Sequence, residues 1–436
     1  MLNQTQAALA TPLMETKEQT YLKVTMRIVP FLFLCYLAAY LDRVNVGFAK
    51  LQMLKELNYS ETVYGFGAGI FFLGYVLFEV PSNIIMHKVG ARLWIARIMI
   101  TWALISGAMA FVATPMSFYI LRFLLGVAEA GFIPGVLLYL TYWFPANRRG
   151  RITAIFLAAI PMASIFGGPL SGWILNTASG AYGLSGWQWL FIIETVPSMI
   201  LGIVTLLYLD DRVEHAKWLT AGEKQMIAQD ISREAKEKEG HTHLSAAFKT
   251  GRVWLLGLIY FSIASGIYII SFWLPTIIKQ TGVADPLTIG ALTAIPYTVA
   301  IIVMILVNQS GDRLRERRWH TVIPCLVTAA GLALAAAASG NTVLAMVGLT
   351  LGAAGVSTAQ SCFWTLPASF LGGAAAAAGI ALINSLGNIG GFASTFLVGW
   401  MTDLTHSTSS SLYLFAALIA VGGVLILTIP ARLVNK

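Results

Sequence analysis

Apolar residues in this chain come in long unbroken runs separated by short polar stretches, with neither the alternation of a half-buried strand nor the narrow stripe of a surface helix. Runs of about 20 residues match the length that carries a helix across a ~30 Å hydrocarbon core. Within lipid, only a helix or a closed barrel satisfies its own backbone polar groups. Twelve helical spans are expected, over 25–47, 62–84, 93–113, 117–140, 152–176, 188–209, 252–278, 287–307, 321–339, 342–366, 377–402 and 410–430. A long polar stretch at 210–250 divides them six and six. Its run from Thr220 to Ile231 has the pattern of an amphipathic surface helix capped by Thr220. The expected organisation is an N-terminal tail (1–24), a six-helix bundle (25–209), a central loop (210–251), a second six-helix bundle (252–430) and a short C-terminal tail (431–436).

Composition agrees with this pattern. The 436 residues are 57% hydrophobic and 11% charged, against about 25% charged in soluble domains. The net charge of +8 invites a nucleic-acid partner, but the positions of the charges exclude that reading. Lys50, Lys55 and Lys279 are the basic residues of one set of alternate loops, and Arg43, Arg97 and Arg122 lie within spans. All other Lys and Arg fall in the opposite set of loops or in the tails. By the positive-inside rule both termini and the central loop face the cytoplasm. The first 20 residues lack a signal-peptide pattern, so the first span is expected to stay in place in the inner membrane. Cys35, Cys325 and Cys362 all fall in spans, and the six histidines lie in loops or at span ends. No metal site, disulfide framework or intramembrane histidine relay is expected.

The two bundles read as a parallel repeat. An offset of 225 carries Asn83 onto Asn308, Lys88 onto Arg313, Arg92 onto Arg317 and Trp94 onto Trp319, and brings span 1 onto 7, 4 onto 10 and 5 onto 11. Such internal similarity places a binding site between two bundles related by an axis along the membrane normal. The loops at Asn83–Leu93 and Asn308–Arg318 resemble the Gly-x-x-x-Asp-Arg/Lys-x-Gly-Arg/Lys-Arg/Lys motif of the major facilitator superfamily. The first keeps Gly90 and Arg92 but has His87 for the acid; the second keeps Asp312, Arg313, Arg317 and Arg318 but has Arg315 for the glycine. The resemblance implies a cytoplasmic gate from Gly90, Arg92, Asp312 and Arg313. Further motifs resemble the anion:cation symporter family of tartrate, phthalate, hydroxyphenylacetate and sugar-acid permeases. They are Asp42-Arg43-Val44-Asn45, the segment Phe78 to Asn83, Arg122 to Gly135 containing Glu129, Trp143-Phe144-Pro145 with Arg148-Arg149-Gly150-Arg151, Gly167 to Gly172, and Trp189 to Glu194.

Charge inside a membrane costs roughly 2.5–3.5 kcal/mol per group on insertion scales and is kept for function. The deep acids are Asp42, Glu79, Glu129 and Glu194 and the deep cations Arg43, Arg97 and Arg122, all in the first half. Tyr36, Tyr40 and Arg43 share a face of span 1, from which Asp42 is turned by about 100°. Arg122, Gly126 and Glu129 share a face of span 4, and Tyr75 and Glu79 one of span 2. Arginine grips carboxylates through two parallel hydrogen bonds, which assigns Arg43 to a substrate carboxylate. Asp42 is expected to pair with Arg122. That leaves Glu129 without a partner and makes it the first choice for the coupling proton, with Asp42 second. Arg97 and Glu194 are read as structural, and Glu79 as structural or gating. Tyr40 and Tyr75 are candidate lining residues. The resemblance adds Ser361, Trp364 and Asn384, with Asn388 as a further candidate, as substrate contacts from the second half. Where sugar-acid members place a glutamine in span 5, this chain has Ile160, which implies a less hydroxylated substrate.

The function expected is proton-coupled import of a small organic anion by alternating access, through an all-α integral membrane protein acting as a monomer. No cofactor beyond the proton is expected. An exchanger or efflux carrier on the same fold is the nearest alternative, and a transporter-like sensor one from another class. No cluster of residues points to an enzyme.

Overall fold

The computed structural model describes residues 2–237, 251–338, 340–370 and 373–435, in helices joined by turns, with no β-strand among them. The end of the expected central loop, 238–250, lies outside the described residues. Twelve helices are long and apolar enough to span a membrane: Lys17–Leu57, Glu61–Val89, Ala91–Phe111, Pro115–Thr141, Asn147–Thr177, Gly186–Tyr208, Gly251–Gln280, Pro286–Leu314, Trp319–Ala337, Thr342–Pro367, Gly379–Thr405 and Ser409–Thr428. They are spans 1 to 12 below.

Several spans begin where the sequence supplies a cap. Thr114 and Ser117 form a reciprocal capping box before span 4, with Pro115 in its first turn. Asp285 accepts from the Thr288 amide at 2.9 Å before span 8, and Ser185 with Gln188 repeats the box before span 6. These caps satisfy amides that have no partner within their own helix. In the first half span 2 packs on span 4, span 3 on span 6, and span 1 on spans 5 and 6. In the second, span 10 packs on spans 7, 8 and 9, and span 12 on spans 7 and 9.

The halves meet along two helix pairs, span 2 with span 11 and span 5 with span 8. Both seams close on glycine at the end opposite the chain termini. A Cβ on Gly290 would stand 2.3 Å from the Gly168 carbonyl oxygen, and one on Gly399 2.2 Å from that of Glu61. Small residues allow this backbone approach. Polar contacts complete the seal. Both carboxylate oxygens of Asp403, in span 11, accept from the first amides of span 2, Glu61 at 3.0 Å and Thr62 at 2.8 Å. Lys50, counted from the sequence as a loop charge, is instead buried. Its ammonium lies 3.7 Å from the Trp273 ring centroid and 2.5 Å from Glu61 Oε2. Toward the termini the cover thins, and Leu77, Phe78, Val80 and Ile84 of span 2 are exposed.

The amphipathic helix of the central segment runs Ala221–Glu237. Thr220 caps it as the sequence indicates, with the Glu223 amide donating to Thr220 Oγ1 at 3.3 Å and the Thr220 amide to Glu223 Oε2 at 2.7 Å. It docks on the start of span 1, where Lys17 and the Tyr21 hydroxyl donate to Asp230 at 2.8 and 2.9 Å. Burial pushes the Asp230 carboxyl up, but the bonds from Lys17 and Tyr21 outweigh it and hold the group below its ordinary value.

Two outcomes follow from these contacts. Asp403→Asn removes a charged cap from span 2 and weakens closure at that end by roughly 1 kcal/mol; spin labels across spans 2 and 11 will report a larger open population. The contribution of Asp230 is fully present above the ordinary aspartate range and is lost as pH falls through the lowered value. The melting temperature of the purified protein will fall across that acid range in the native protein and lose that fall in Asp230→Asn.

Candidate functional site

Of the two spans that carry Arg43 and Glu129, span 4 is broken beside its charge and span 1 is not. Span 1 passes through Asn45 with helical dihedrals (φ −56°, ψ −29°) and only a local joint there, one turn past Asp42 and Arg43. Span 4 stops at Glu129 and restarts at Phe132, through an extended Ala130 (ψ 130°) and a left-handed Gly131 (φ +87°). The space a Cβ on Gly131 would need is taken by Ser82 Oγ, 2.3 Å away. Discontinuous helices are the usual way for a membrane protein to present a binding site inside the bilayer. Glu129 thus ends a helix segment, where the segment's own carbonyls repel an anion. It depends on a cation nearby.

That cation is Arg43. Its guanidinium and the Glu129 carboxylate form a buried ion pair, in which Nε donates at 3.0 Å and Nη2 adds a second, shorter contact to the same oxygen. Arg43 is 6% and Glu129 2% exposed. The aromatic rings of Tyr40, Phe71 and Tyr75 surround the guanidinium, with centroids 5.9, 5.3 and 5.6 Å away. Both tyrosines named from the sequence are therefore at the arginine. The Tyr40 hydroxyl also reaches across the halves to Ser271 Oγ at 3.0 Å, and Ile160 packs against Tyr40, Leu41 and Ala163 as an apolar wall.

This geometry corrects the expected pairing. Among the described residues no ion pair joins Asp42 to Arg122. Asp42 instead accepts from Trp102 Nε1 and Ser106 Oγ, each at 3.2 Å, and from the Ser198 hydroxyl. Arg122, fully buried, donates to the carbonyls of Gly67 and Ala68 at 3.3 Å and so ties span 4 to the backbone of span 2. Glu129, expected to lack a partner, holds Arg43. The reason is local: Glu129 and Arg122 share a face of span 4, and the break at Ala130-Gly131 makes Glu129 the last residue of its segment, beside Arg43.

The second half contributes as follows. Asn384 Nδ2 donates to Glu79 Oε1 at 3.2 Å, bridging spans 11 and 2, so Glu79 takes part in a contact between the halves. Asn388 Oδ1 lies 3.5 Å from the Tyr268 hydroxyl. Ser361 is tied to Asn308 Nδ2 at 2.8 Å. Trp364 sits at the break in span 10 and packs on Tyr260 with centroids 4.7 Å apart. Asn384 thus reaches the first half, whereas Asn388 and Ser361 are held within their own. Tyr268, whose ring lies tilted against Phe72 with centroids 4.3 Å apart and whose hydroxyl meets Asn388, was missed from the sequence. The 225 offset carries Arg43 onto Tyr268, and that signal was available.

The loop gate does not close across the halves in this conformation. The Arg92 amide donates to Asp211 at 2.8 Å, within its own half. Gly90 (φ +99°) brings the backbone close to that carboxylate, which lies 2.8 Å from where a Cβ would stand. In the second loop Arg315 takes the left-handed conformation (φ +51°) at the position of the motif glycine. Glu316 and Asn435 hold that turn. Asp312 and Arg313 make no cross-bundle ion pair among the described residues.

Comparison with known proteins agrees with this architecture. The chain belongs to the major facilitator superfamily, whose family profile matches residues 32–395. It is 49% identical over 406 residues to a protein of Agrobacterium vitis named "Putative tartrate transporter", covering 93% of this chain and 90% of that one. It is 41% identical over 422 residues to the "Quinolone resistance transporter" of Acinetobacter baumannii, covering 96% and 97%. Among solved structures, a D-xylose–proton symporter superposes with a TM-score of 0.72 at 16% identity, over 93% of this chain and 98% of that one.

The site tolerates no added bulk on span 4. A Cβ at Gly126 would lie 2.0 Å from the Phe71 carbonyl oxygen. Gly126→Ala will therefore push span 4 from span 2, costing about 1–3 kcal/mol, seen as a lower melting temperature of the purified protein.

Proposed function

We propose that this protein is a proton-coupled importer of small organic anions. The observation that carries the reading is the buried Arg43–Glu129 pair. An arginine already held by an internal carboxylate is closed to an external one. A proton on Glu129 frees the guanidinium fork, and a substrate carboxylate takes the place of Glu129 with two parallel hydrogen bonds. Loss of that proton lets Glu129 compete for Arg43 and drive the substrate off. Proton and anion thus travel together. Tyr40 and Tyr75 line the arginine, Asn384 and Asn388 offer uncharged polar contacts from the other half, and Ile160 favours a less hydroxylated acid such as tartrate or an aromatic acid. The relative named for tartrate supports that class. Asp42 serves as a further proton site. The basic residues of the tails and the central loop favour cytoplasmic termini, so the end sealed by Asp403 and Lys50 faces outward.

A second reading, efflux, is favoured by the relative named for quinolone resistance. Proteoliposomes under an imposed pH gradient separate the two by the direction of net movement. In the same assay Glu129→Gln will lose uphill accumulation of labelled tartrate while still exchanging it across the membrane. Uphill accumulation by that variant would sink the proton assignment. Arg43→Ala will weaken binding by at least about tenfold, the cost of a lost charged hydrogen bond, measured by titration calorimetry. Unchanged affinity would place the carboxylate elsewhere.

A further inference from the structure

Glu194 is the buried acid that the Arg43–Glu129 pair leaves unused. It lies in span 6 and is 2% exposed. One carboxyl oxygen accepts from Ser171 Oγ at 2.6 Å, and the other makes no hydrogen bond of ordinary geometry and has the Asn45 side chain beside it. Among the described residues no cation pairs with it. A structural carboxylate at this depth needs a counter-charge or a full set of donors, and Glu194 has neither.

Beside it stands a second unsatisfied group. Asn45, at the joint of span 1, is 1% exposed, and both its amide oxygen and its amide nitrogen lack a hydrogen bond of ordinary geometry. Its backbone is satisfied, with the Asn45 carbonyl accepting from the amides of Phe48 and Ala49 at 2.9 Å. The side chain lines a cavity of about 20 Å³ shared with Ser164, Ser171, Ser271, Thr293 and Tyr297. Leu41, Val44, Phe48, Leu274 and Pro275 make most of its wall apolar, and the polar positions are set into that wall. The volume is enough for one water molecule, which needs about 10–15 Å³ and polar partners such as Asn45 and Ser171. The cavity lies between spans 1 and 5 of one half and spans 7 and 8 of the other, so parting of the halves at the sealed end opens it. Ser171 belongs both to the cavity wall and to Glu194.

On its other side Glu194 leads to Asp42. Ser198, one turn further along the same face of span 6, donates to Asp42. The titratable group beyond Ser198 is Asp42. The neighbours of Glu194 itself are the neutral Ser171 from span 5 and Asn45 from span 1, while Trp102 and Ser106 of span 3 reach Asp42. Asn45 and Ser171 at the cavity, then Glu194, Ser198 and Asp42, follow one another along one polar column, with hydrogen bonds joining Ser171 to Glu194 and Ser198 to Asp42. It runs through the core of the first bundle, on the side of span 1 turned away from Arg43.

We propose that Glu194 is a second proton carrier, loaded through the Asn45 cavity and linked to Asp42 by Ser198. This rests on the symport reading only for its role in coupling; the proton site itself can be tested without substrate. A proton arrives on cavity water as hydronium, moves to the second oxygen of Glu194, and leaves to water when the opposite face opens. No other bond is made or broken.

The test is infrared titration of the full-length protein in proteoliposomes, wild type against Glu194→Gln, Asn45→Leu and Ser171→Ala. Glu194→Gln should lose a titrating carboxyl band. Asn45→Leu, which fills the cavity, should keep that band but exchange its proton for deuterium about tenfold more slowly, the rate equivalent of one lost hydrogen bond. Ser171→Ala should shift the band, and it serves as the test if Glu194→Gln does not fold. The proton-to-tartrate ratio should also fall in Glu194→Gln. An unchanged set of bands in Glu194→Gln, unaltered exchange in Asn45→Leu, or dependence of the band on sodium rather than pH would overturn the proposal. If wild-type protein takes up tartrate without protons while the band behaves as expected, the symport reading fails and the proton site stands.

Discussion

An arginine inside a bilayer needs an acceptor for its charge, and the choice of Glu129 for Arg43 fixes most of the surrounding structure. It requires span 4 to end its first segment at Glu129, so that this helix end meets Arg43 of span 1 at one depth. With Glu129 committed, Arg122 settles on backbone carbonyls of span 2, and Asp42 on a tryptophan and two serines. The three deep charges that a sequence reader would link into one network are solvated separately. Each uses what its own face of the helix offers.

The seal at the end remote from the termini follows a different rule. Glycines bring backbones together along two seams, and polar groups then lock the register. The negative side chain of Asp403 caps the positive end of span 2, and Lys50 is shared between Glu61 and the face of Trp273. Both devices cross from one half to the other. At the opposite end, the loop contacts of Arg92, Glu316 and Asn435 stay within their own halves. The structure is a clamp fastened at one end.

Much of this was legible in the chain. Run length gave the spans, the Thr220 cap gave the central helix, and the confinement of deep charge to the first half gave the location of the buried Arg43–Glu129 pair. Helical spacing alone put Tyr40 beside Arg43, and Tyr75 meets them from span 2. Partner choice was not legible, because Arg122 and Glu129 lie on one face of span 4 and a pattern of spacing treats them alike. The local break at Ala130-Gly131 decides between them. Lys50 was misplaced because a cation near a span end reads as solvated, and its burial depends on Trp273, far away in sequence. Glu194 was read as structural for the same reason of position, although its own oxygens are incompletely satisfied.

The duplication has kept its shape and lost its charge on one side. In the second half the ionisable residues Lys279, Asp285, Arg313 and Asp403 all stand at or beyond span ends. An electric field does about 2.3 kcal/mol of work on each elementary charge carried through 100 mV. It has nothing to act on in the depth of that half. In the first half it meets a neutral pair while Arg43 and Glu129 hold each other. The field gains a grip on that pair only when its neutrality is broken, while Arg122 carries its charge with span 4 throughout. The membrane potential therefore reads the occupancy of Arg43 as well as the position of span 4.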